Sequence, residues 1–505
     1  MTTQTTRQRL ALGLASSALT QALAAAQAIV LVPFFVSAWE PHAYGRWLAL
    51  SAIASHLTLA DLGGQNYVAN LLAMHFGRDE AVEFRTRLSE AVSLFLMIGF
   101  ALLALLVLGL VWAAWLPLGL SGPALTGNEA LALLLLGANA VILSVPGGVY
   151  GTAYRASGRF ARGAAIGNVG RIVTMAGSMA LLAGHATPAA LAAWMLASAA
   201  AVTGVLVVDS RRVIAGCREV RIGVGPARAG FRRLARGSLH FWSIGLAGEM
   251  TQQGVLVILA ATTSPVAVAL YSTHRVLASI PARLATLAQG PVAPELSFLW
   301  AQRRQHDLIA VSLFAATALM AIGAVAAGAL WTAAPLFYGA WTSNSLSFDG
   351  TLACILIVQS ILASGWQTSA WSLLATNQHH ALSSWSAARA ALTVIIALAL
   401  AGPFGAVGVA AGALAADIVC AALVFPGTAA AMLGAPRWQF HRRIALGLVP
   451  LVPVALSAAG MPGARLESDH AGRAAAGLFT AALAVAVAWP LVMPTVRSFP
   501  VRWRA

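Results

Sequence analysis

A run of about twenty apolar residues has few ways to fold. Surrounded by lipid, it satisfies its backbone hydrogen bonds internally only as a helix. This sequence carries fourteen such runs, at 10–36, 44–72, 91–117, 129–153, 163–184, 187–208, 238–261, 266–293, 308–333, 350–375, 381–401, 404–426, 444–460 and 472–494. None alternates with period two, as a membrane β-barrel strand does. The expected fold is therefore an all-α polytopic membrane protein of about fourteen transmembrane helices. Composition agrees: 9% of residues are charged and 59% are hydrophobic, where a soluble domain carries about 25% charged residues.

The formal net charge is +15, and all 31 basic residues are arginine. They lie in short loops between apolar runs, where they set topology and meet lipid headgroups. The expected contact is the lipid bilayer, not nucleic acid. Even-numbered connections carry the arginines: Arg78, Arg85 and Arg87 in the second, Arg155, Arg159 and Arg162 in the fourth, Arg303 and Arg304 in the eighth. The sixth, Asp209 to Leu239, has Arg211, Arg212, Arg218, Arg221, Arg228, Arg232, Arg233 and Arg236. The twelfth has Arg437, Arg442 and Arg443; the tenth, around "TNQHH", has none. Odd connections lack arginine until the last, with Arg465 and Arg473. With Arg7 and Arg9 at one end and Arg497, Arg502 and Arg504 at the other, both termini are expected in the cytoplasm of a multi-pass inner-membrane protein. The first run is too long for a signal-peptide core of about 7–15 residues and reads as a retained helix. Cys217, Cys354 and Cys420 are too few and too scattered for a disulfide framework or a metal site. No odd connection is long enough for a folded catalytic or receptor domain.

The halves look related. "AQAIVLVPFFVSAWEPHAYGRWLALS" (26–51) resembles "QGVLVILAATTSPVAVALYSTHRVLA" (253–278), with Tyr44 or Tyr271 opening a helix and Arg46 or Arg275 close behind. "YRASGRFARGAAIGNVGR" (154–171) resembles "LLATNQHHALSSWSAARA" (373–390), placing Arg171 and Arg389 at similar depth. Parallel repeats of this kind bind substrate between two lobes that rock to alternate access. The expected organisation is an N-terminal lobe over 1–208, a cytoplasmic arginine-rich connection over 209–237, a C-terminal lobe over 238–427, and two further helices with a cytoplasmic tail over 428–505.

Several segments resemble a known family. "LVPFFVSAWEPHAYGRWLALSAIASHLTLADLGGQNYVAN" is similar to the first two helices of Wzx-type polysaccharide flippases of the multidrug/oligosaccharidyl-lipid/polysaccharide (MOP) exporter superfamily. The shared features are the proline before a short outer loop, the Tyr44–Gly45 pair, and Asp61–Leu62–Gly63. "ALYSTHRVLASIP" resembles the start of the eighth helix, and "FGAVGVAAGALAADIV" (404–419) the small-residue twelfth helix. The resemblance implies a two-lobed transporter that moves undecaprenyl-pyrophosphate-linked glycans outward for O-antigen, capsule or exopolysaccharide synthesis. A polysaccharide polymerase and a chain-length regulator are the partners it implies. Fourteen helices also match the peptidoglycan-precursor flippase in number.

Charges at bilayer depth cost about 2.5–3.5 kcal/mol each on insertion scales, so each needs a reason. Arg275 lies roughly 14 Å into its run; Arg171 and Arg389 lie roughly 12 Å in. Guanidinium forks onto phosphate oxygens and keeps its charge when desolvated, so Arg275, Arg283, Arg171, Arg389 and Arg46 are candidate contacts for a diphosphate headgroup. The competing reading is snorkelling or pairing with a carboxylate, and for Arg46, near the outer boundary, snorkelling fits better. Glu249, Gln252 and Gln253 share a helical face by their i, i+3 and i+4 spacing. Glu249 at mid-depth faces a cavity or a partner, and can take up H⁺ or Na⁺ or pair with Arg275; alternatively it is a protonated packing residue. Asp417 among Ala411, Gly412, Ala415 and Ala416 suits tight helix packing as well as ion coupling. Asp61, before Gly63 and Gly64, suits a helix end, with ion coupling as the sharper alternative. Ser17, Thr20, Gln21 and Gln27 form a polar stripe on the first helix, lining a cavity or bonding to a neighbour. Trp39, Trp300, Trp341 and Trp438 fall near run ends, as an interfacial belt requires. No cofactor beyond a coupling ion is expected.

Three rival functions meet specific objections. A cation-coupled multidrug antiporter needs an acidic aromatic pocket, and the in-membrane arginines oppose it. A peptidoglycan-precursor flippase has the right helix number, but "ADLGG" looks more like the polysaccharide group. A glycan polymerase or acyltransferase needs longer outer loops with catalytic residues, so the chain is not expected to be an enzyme.

Overall fold

The computed structural model describes residues 6–61, 63–115, 125–376, 378–459 and 470–498. Contacts divide the chain into two compact units, Met1–Ala261 and Thr262–Ala505. The described residues are helical, without strands.

The first unit contains α1 (Thr6–Ser55), α2 (Gly64–Gly77), α3 (Ala81–Trp115), α4 (Gly127–Ile142), α5 (Gly148–Ala156), α6 (Phe160–Ala183), α7 (Pro188–Val213), α8 (Val224–Glu249) and α9 (Val255–Thr262), the last residue of α9 passing into the second unit. The second contains α10 (Pro265–Ala278), α11 (Ile280–Ala301), α12 (Gln305–Trp341), α13 (Gly350–Ala375), α14 (His379–Ala416), α15 (Phe425–Met432), α16 (Arg437–Leu448), α17 (Val452–Ala459) and α18 (His470–Ser498).

Among the described residues, ten stretches are long and apolar enough to cross a membrane. Two of these, Ala15–Leu59 and His380–Met432, each hold two passes. The first breaks at Glu40, whose φ is 60°, because the following Pro41 disfavours the helical conformation of the residue before it. The second breaks at Gly405, whose φ is 56° and ψ −133°, two residues after Pro403; glycine adopts such a conformation at little cost. Splitting both, and adding the pair α10–α11 and the C-terminal α18, yields the fourteen passes read from the runs.

Several passes change their winding midway. The second pass is interrupted by a 3₁₀ turn at His56–Asp61 and restarts at Gly64 after Gly63 with φ 64°. Asp61 and Gly63 of the "ADLGG" segment therefore lie at this break in the winding. π-helical turns occupy Leu143–Gly147, Met250–Gly254 and Asp417–Val424. Such turns insert a residue into the i→i+4 ladder and collect at functional sites.

Each unit has its own core. In the first, Phe84, Leu88 and Phe95 of α3 pack with Tyr150 and Tyr154 of α5 and with Leu72 of α2. In the second, Leu296, Leu308, Trp371 and Phe440 pack α11, α12, α13 and α16 together. The C-terminal helices are integral to this unit: α18 packs along α12, where Gly328 and Gly477 meet so closely that a Cβ on either would strike the other's backbone. Small residues at a crossing let backbones approach, the usual means of holding helices together in lipid. The division after Ala261 also differs from a lobe boundary at residue 237. The reason is local: α8 is a continuous helix packed on α2 and α3, so the seventh pass is held in the first unit.

Candidate functional site

The in-membrane charges fall into two sets, one in each unit. In the first unit, Glu249 is the last residue of α8 before the π turn at Met250–Gly254. Ser55 Oγ lies 3.3 Å from Glu249 Oε2 and 2.8 Å from the Ala52 carbonyl oxygen. The His56 Nδ1 lies 2.7 Å from the same Ala52 carbonyl. A hydroxyl beside a carboxyl group can either donate or accept, so Ser55 serves both protonation states of Glu249. The π turn follows directly: across it hydrogen bonds run i→i+5. Gln252 there is exposed, and Gln253, like Glu249, is half-buried.

The polar stripe of α1 divides. Thr20 Oγ1 donates to Asn168 Oδ1 at 2.9 Å, and Gln27 Oε1 accepts from Arg171 Nη1 at 3.3 Å. Ser17 and Gln21 are exposed. Two buried donors in this α1–α6 seam, Asn168 Nδ2 and Arg171 Nε, have no hydrogen-bond partner among the described residues. Arg46 forms an ion pair with Glu129, which also caps the start of α4 through Thr126. Its charge is met by a carboxylate, where snorkelling was the expectation.

In the second unit, Arg275 lies over the Tyr271 ring, 5.4 Å from its centroid. Further along the pass, Arg283 Nε donates to Ser279 Oγ at 3.0 Å. Asp417 is placed differently. Its Oδ1 accepts from Arg389 Nη1 at 2.7 Å and its Oδ2 from Gln359 Nε2 at 2.8 Å. Arg389 also stacks over Trp366, 5.3 Å from the ring centroid. Both carboxylate oxygens are thus occupied by donors, which suits the ionised form. Arg171 and Arg389, equivalent in the repeat, take partners of different chemistry: a neutral amide and a carboxylate. The backbone of Asp61 ends the 3₁₀ turn; its side chain lies outside the described residues.

Sequence reading missed His56, Glu129, Asn168, Gln359 and Trp366, because each gains its role from a helix distant in the chain. It also missed His274, beside Arg275. His274 Nε2 accepts the Asp349 backbone N–H at 2.9 Å, so Nδ1 carries the proton and donates to the Leu270 carbonyl at 2.8 Å. That locks a neutral imidazole into the core. At the arginine-rich connection, Asp209 is gripped by a two-pronged Arg162 fork and by Tyr154. Nearby Cys217 is fully buried, and desolvation pushes its thiol up to about 12, so it stays protonated and unreactive.

Comparison of the sequence finds no matching family model and no matching curated protein. Solved structures do match. A lipid II flippase, MurJ, in an inward closed conformation superposes with a TM-score of 0.66 at 11% identity, over 95% of this chain and 99% of that one. The MATE multidrug transporter DinF-BH gives 0.57 at 12% identity, over 87% and 98%. An inward-facing multidrug resistance MATE transporter of the MOP superfamily gives 0.56 at 14% identity, over 82% and 94%. The fold is that of the MOP transporters. Its helices account for nearly the whole length of each of these proteins, so the MOP fold is present entire. Within this fold, Glu249 stands in the seventh pass, Arg275 and Arg283 in the eighth, and Asp417 in the twelfth.

Proposed function

We propose that the protein is a flippase that moves undecaprenyl-pyrophosphate-linked oligosaccharide units outward across the bacterial inner membrane by alternating access, for surface polysaccharide synthesis. The observation that carries this reading is that two arginines follow one another along the eighth pass of a MOP fold, Arg275 over the Tyr271 ring and Arg283 beside the Ser279 hydroxyl. Guanidinium groups fork onto diphosphate oxygens and keep their charge when desolvated. They repel a lipophilic cation, which disfavours a multidrug antiporter. Arg171 and Asn168, with spare buried donors, supply a further place for phosphate or sugar hydroxyls. Gln253 and the exposed Gln252 and Gln21 are suited to sugar contacts. A peptidoglycan-precursor flippase shares the headgroup chemistry and is the second reading, favoured by the MurJ superposition.

Coupling to an ion falls to Glu249. Asp417 has both oxygens bound by donors and Arg389 as a resident counter-charge; Glu249 has the Ser55 hydroxyl, which can donate or accept. In proteoliposomes holding a labelled lipid-linked diphosphate glycan, Glu249→Gln binds substrate but loses gradient-driven turnover. Unchanged gradient dependence in that variant would reduce Glu249 to packing. Failure of the wild-type protein to move the glycan, with movement of a lipophilic cation instead, would overturn the flippase reading. In this reading both termini and the 209–237 connection are cytoplasmic, as the arginine distribution favours. A thiol reagent applied outside intact cells does not label Gly225→Cys in that topology; labelling would reverse it.

A further inference from the structure

The arginine-rich connection contains a second feature, independent of the transport site. Its residues 221–233 are tied to a single short stretch of α3. The Arg221 backbone N–H donates to Ser89 Oγ at 3.1 Å, and the Gly223 N–H to Ser93 Oγ at 3.2 Å. At the other end, Arg233 Nη1 reaches Glu90 Oε1 at 3.4 Å, and Gly230 lies so near the Glu90 carbonyl that a Cβ would approach it to 2.8 Å. Ser89 to Ser93 is about 6 Å of helix rise, whereas Gly223 to Arg233 is about 15 Å. These contacts set residues 221–233 beside Ser89–Ser93. There α3 changes from charged (Glu83, Arg85, Arg87, Glu90) to apolar, from Ala91 to Trp115 without a charge. A change of that kind is the sequence mark of the edge of a membrane span.

The face turned away from α3 is mixed. Ala227 and Gly230 are buried against the unit. Val224, Arg228, Phe231 and Arg232 recur at i, i+4, i+7 and i+8 and share the opposite face. Val224 is 75% exposed and Phe231 57%; Ile222, just before the helix, is 61% exposed beside exposed Arg221. Large apolar side chains interleaved with arginines at the water–lipid boundary are the composition of a helix that lies in the interface. The arginines select negative headgroups.

We propose that Arg221–Arg233 is an interfacial docking segment for anionic phospholipid, with Ile222, Val224 and Phe231 entering the acyl boundary and Arg221, Arg228 and Arg232 meeting headgroup phosphates. Each arginine near an anionic surface strengthens its attraction about fivefold, and salt weakens it.

Two measurements test this on the full-length protein. The first places a spin label at Val224→Cys, with the three buried cysteines replaced by alanine, in bilayers with and without phosphatidylglycerol. The expected result is greater collision with oxygen than with a water-soluble nickel chelate, increasing when phosphatidylglycerol is present. A label as open to nickel as one in water, in both bilayers, leaves the face to a soluble partner and overturns the proposal. The second compares phosphatidylglycerol retained, over phosphatidylcholine, by the native protein and by the combined Arg221→Gln, Arg228→Gln, Arg232→Gln variant after purification from mixed lipid. The expected result is a several-fold loss of preference in the variant at unchanged thermal stability. Equal retention overturns the proposal even if the cysteine-replaced protein fails to fold.

Discussion

Arg275→Ala is expected to abolish export of the proposed lipid-linked glycan while the protein still reaches the membrane. The loss expected from removing one member of a buried, charge-assisted contact is on the order of a hundredfold or more in transport. Arg275→Lys recovers only part of it, because an ammonium cannot form the two-pronged contact with phosphate. Tyr271→Phe keeps the aromatic face under the guanidinium and retains most activity, since the cation–π attraction resides in the ring. The measurement is appearance of labelled glycan on the outer face, normalised to protein in the membrane. Normal export by Arg275→Ala would remove this residue from the substrate site. Arg283→Ala, further along the pass, is expected to weaken binding without eliminating it.

The second large effect is on stability. The Arg389–Asp417 pair has 14% and 5% side-chain exposure. Removing one partner of such a pair strands the other and costs about 3–5 kcal/mol. Asp417→Asn and Arg389→Met are each expected to lower the unfolding midpoint sharply in detergent and to reduce the amount of protein in the membrane. The combined Asp417→Leu, Arg389→Met variant recovers stability, because apolar replacement of both members removes two desolvated charges at once. Transport by this double variant then separates roles. If it folds and transports, the pair is structural. If it folds and does not transport, Arg389 also serves the substrate. Single variants as stable as the native protein would mean that the pair contributes nothing to the fold.

These outcomes bear on the two acids differently. Asp417 begins one π turn and Glu249 immediately precedes another. Both turns rewind a helix at a charge; the Ser55 hydroxyl beside Glu249 can donate or accept, whereas the Arg389 guanidinium beside Asp417 can only donate. A group that must gain and lose a proton during a cycle needs both states to be hydrogen-bonded, because a stranded polar group at that depth is costly.

What the amino-acid order determined by itself was everything that depends on neighbours in the chain. The apolar runs specify membrane-spanning helices since lipid provides no hydrogen bonds, and their number follows from their length. Pro41 and Gly405 mark the points where one continuous apolar stretch becomes two passes. The fold class, the helix count and the presence of charge at membrane depth at Arg275, Glu249 and Asp417 were all legible in this way. Tertiary structure alone decided which charges meet. Arg46 finds Glu129, eighty-three residues away, and Arg171 finds Gln27, 144 residues away. Similar runs of alanine and leucine carry no code for such pairings, because packing in lipid depends on where small residues let two backbones approach. The π turns were equally invisible: nothing in the apolar pattern marks where a helix changes its winding. The docking of α8 across Ser89–Ser93 has the same origin. The arginines of that segment are plain in the sequence, but only its hydrogen bonds to α3 hold them beside the point where α3 turns from charged to apolar.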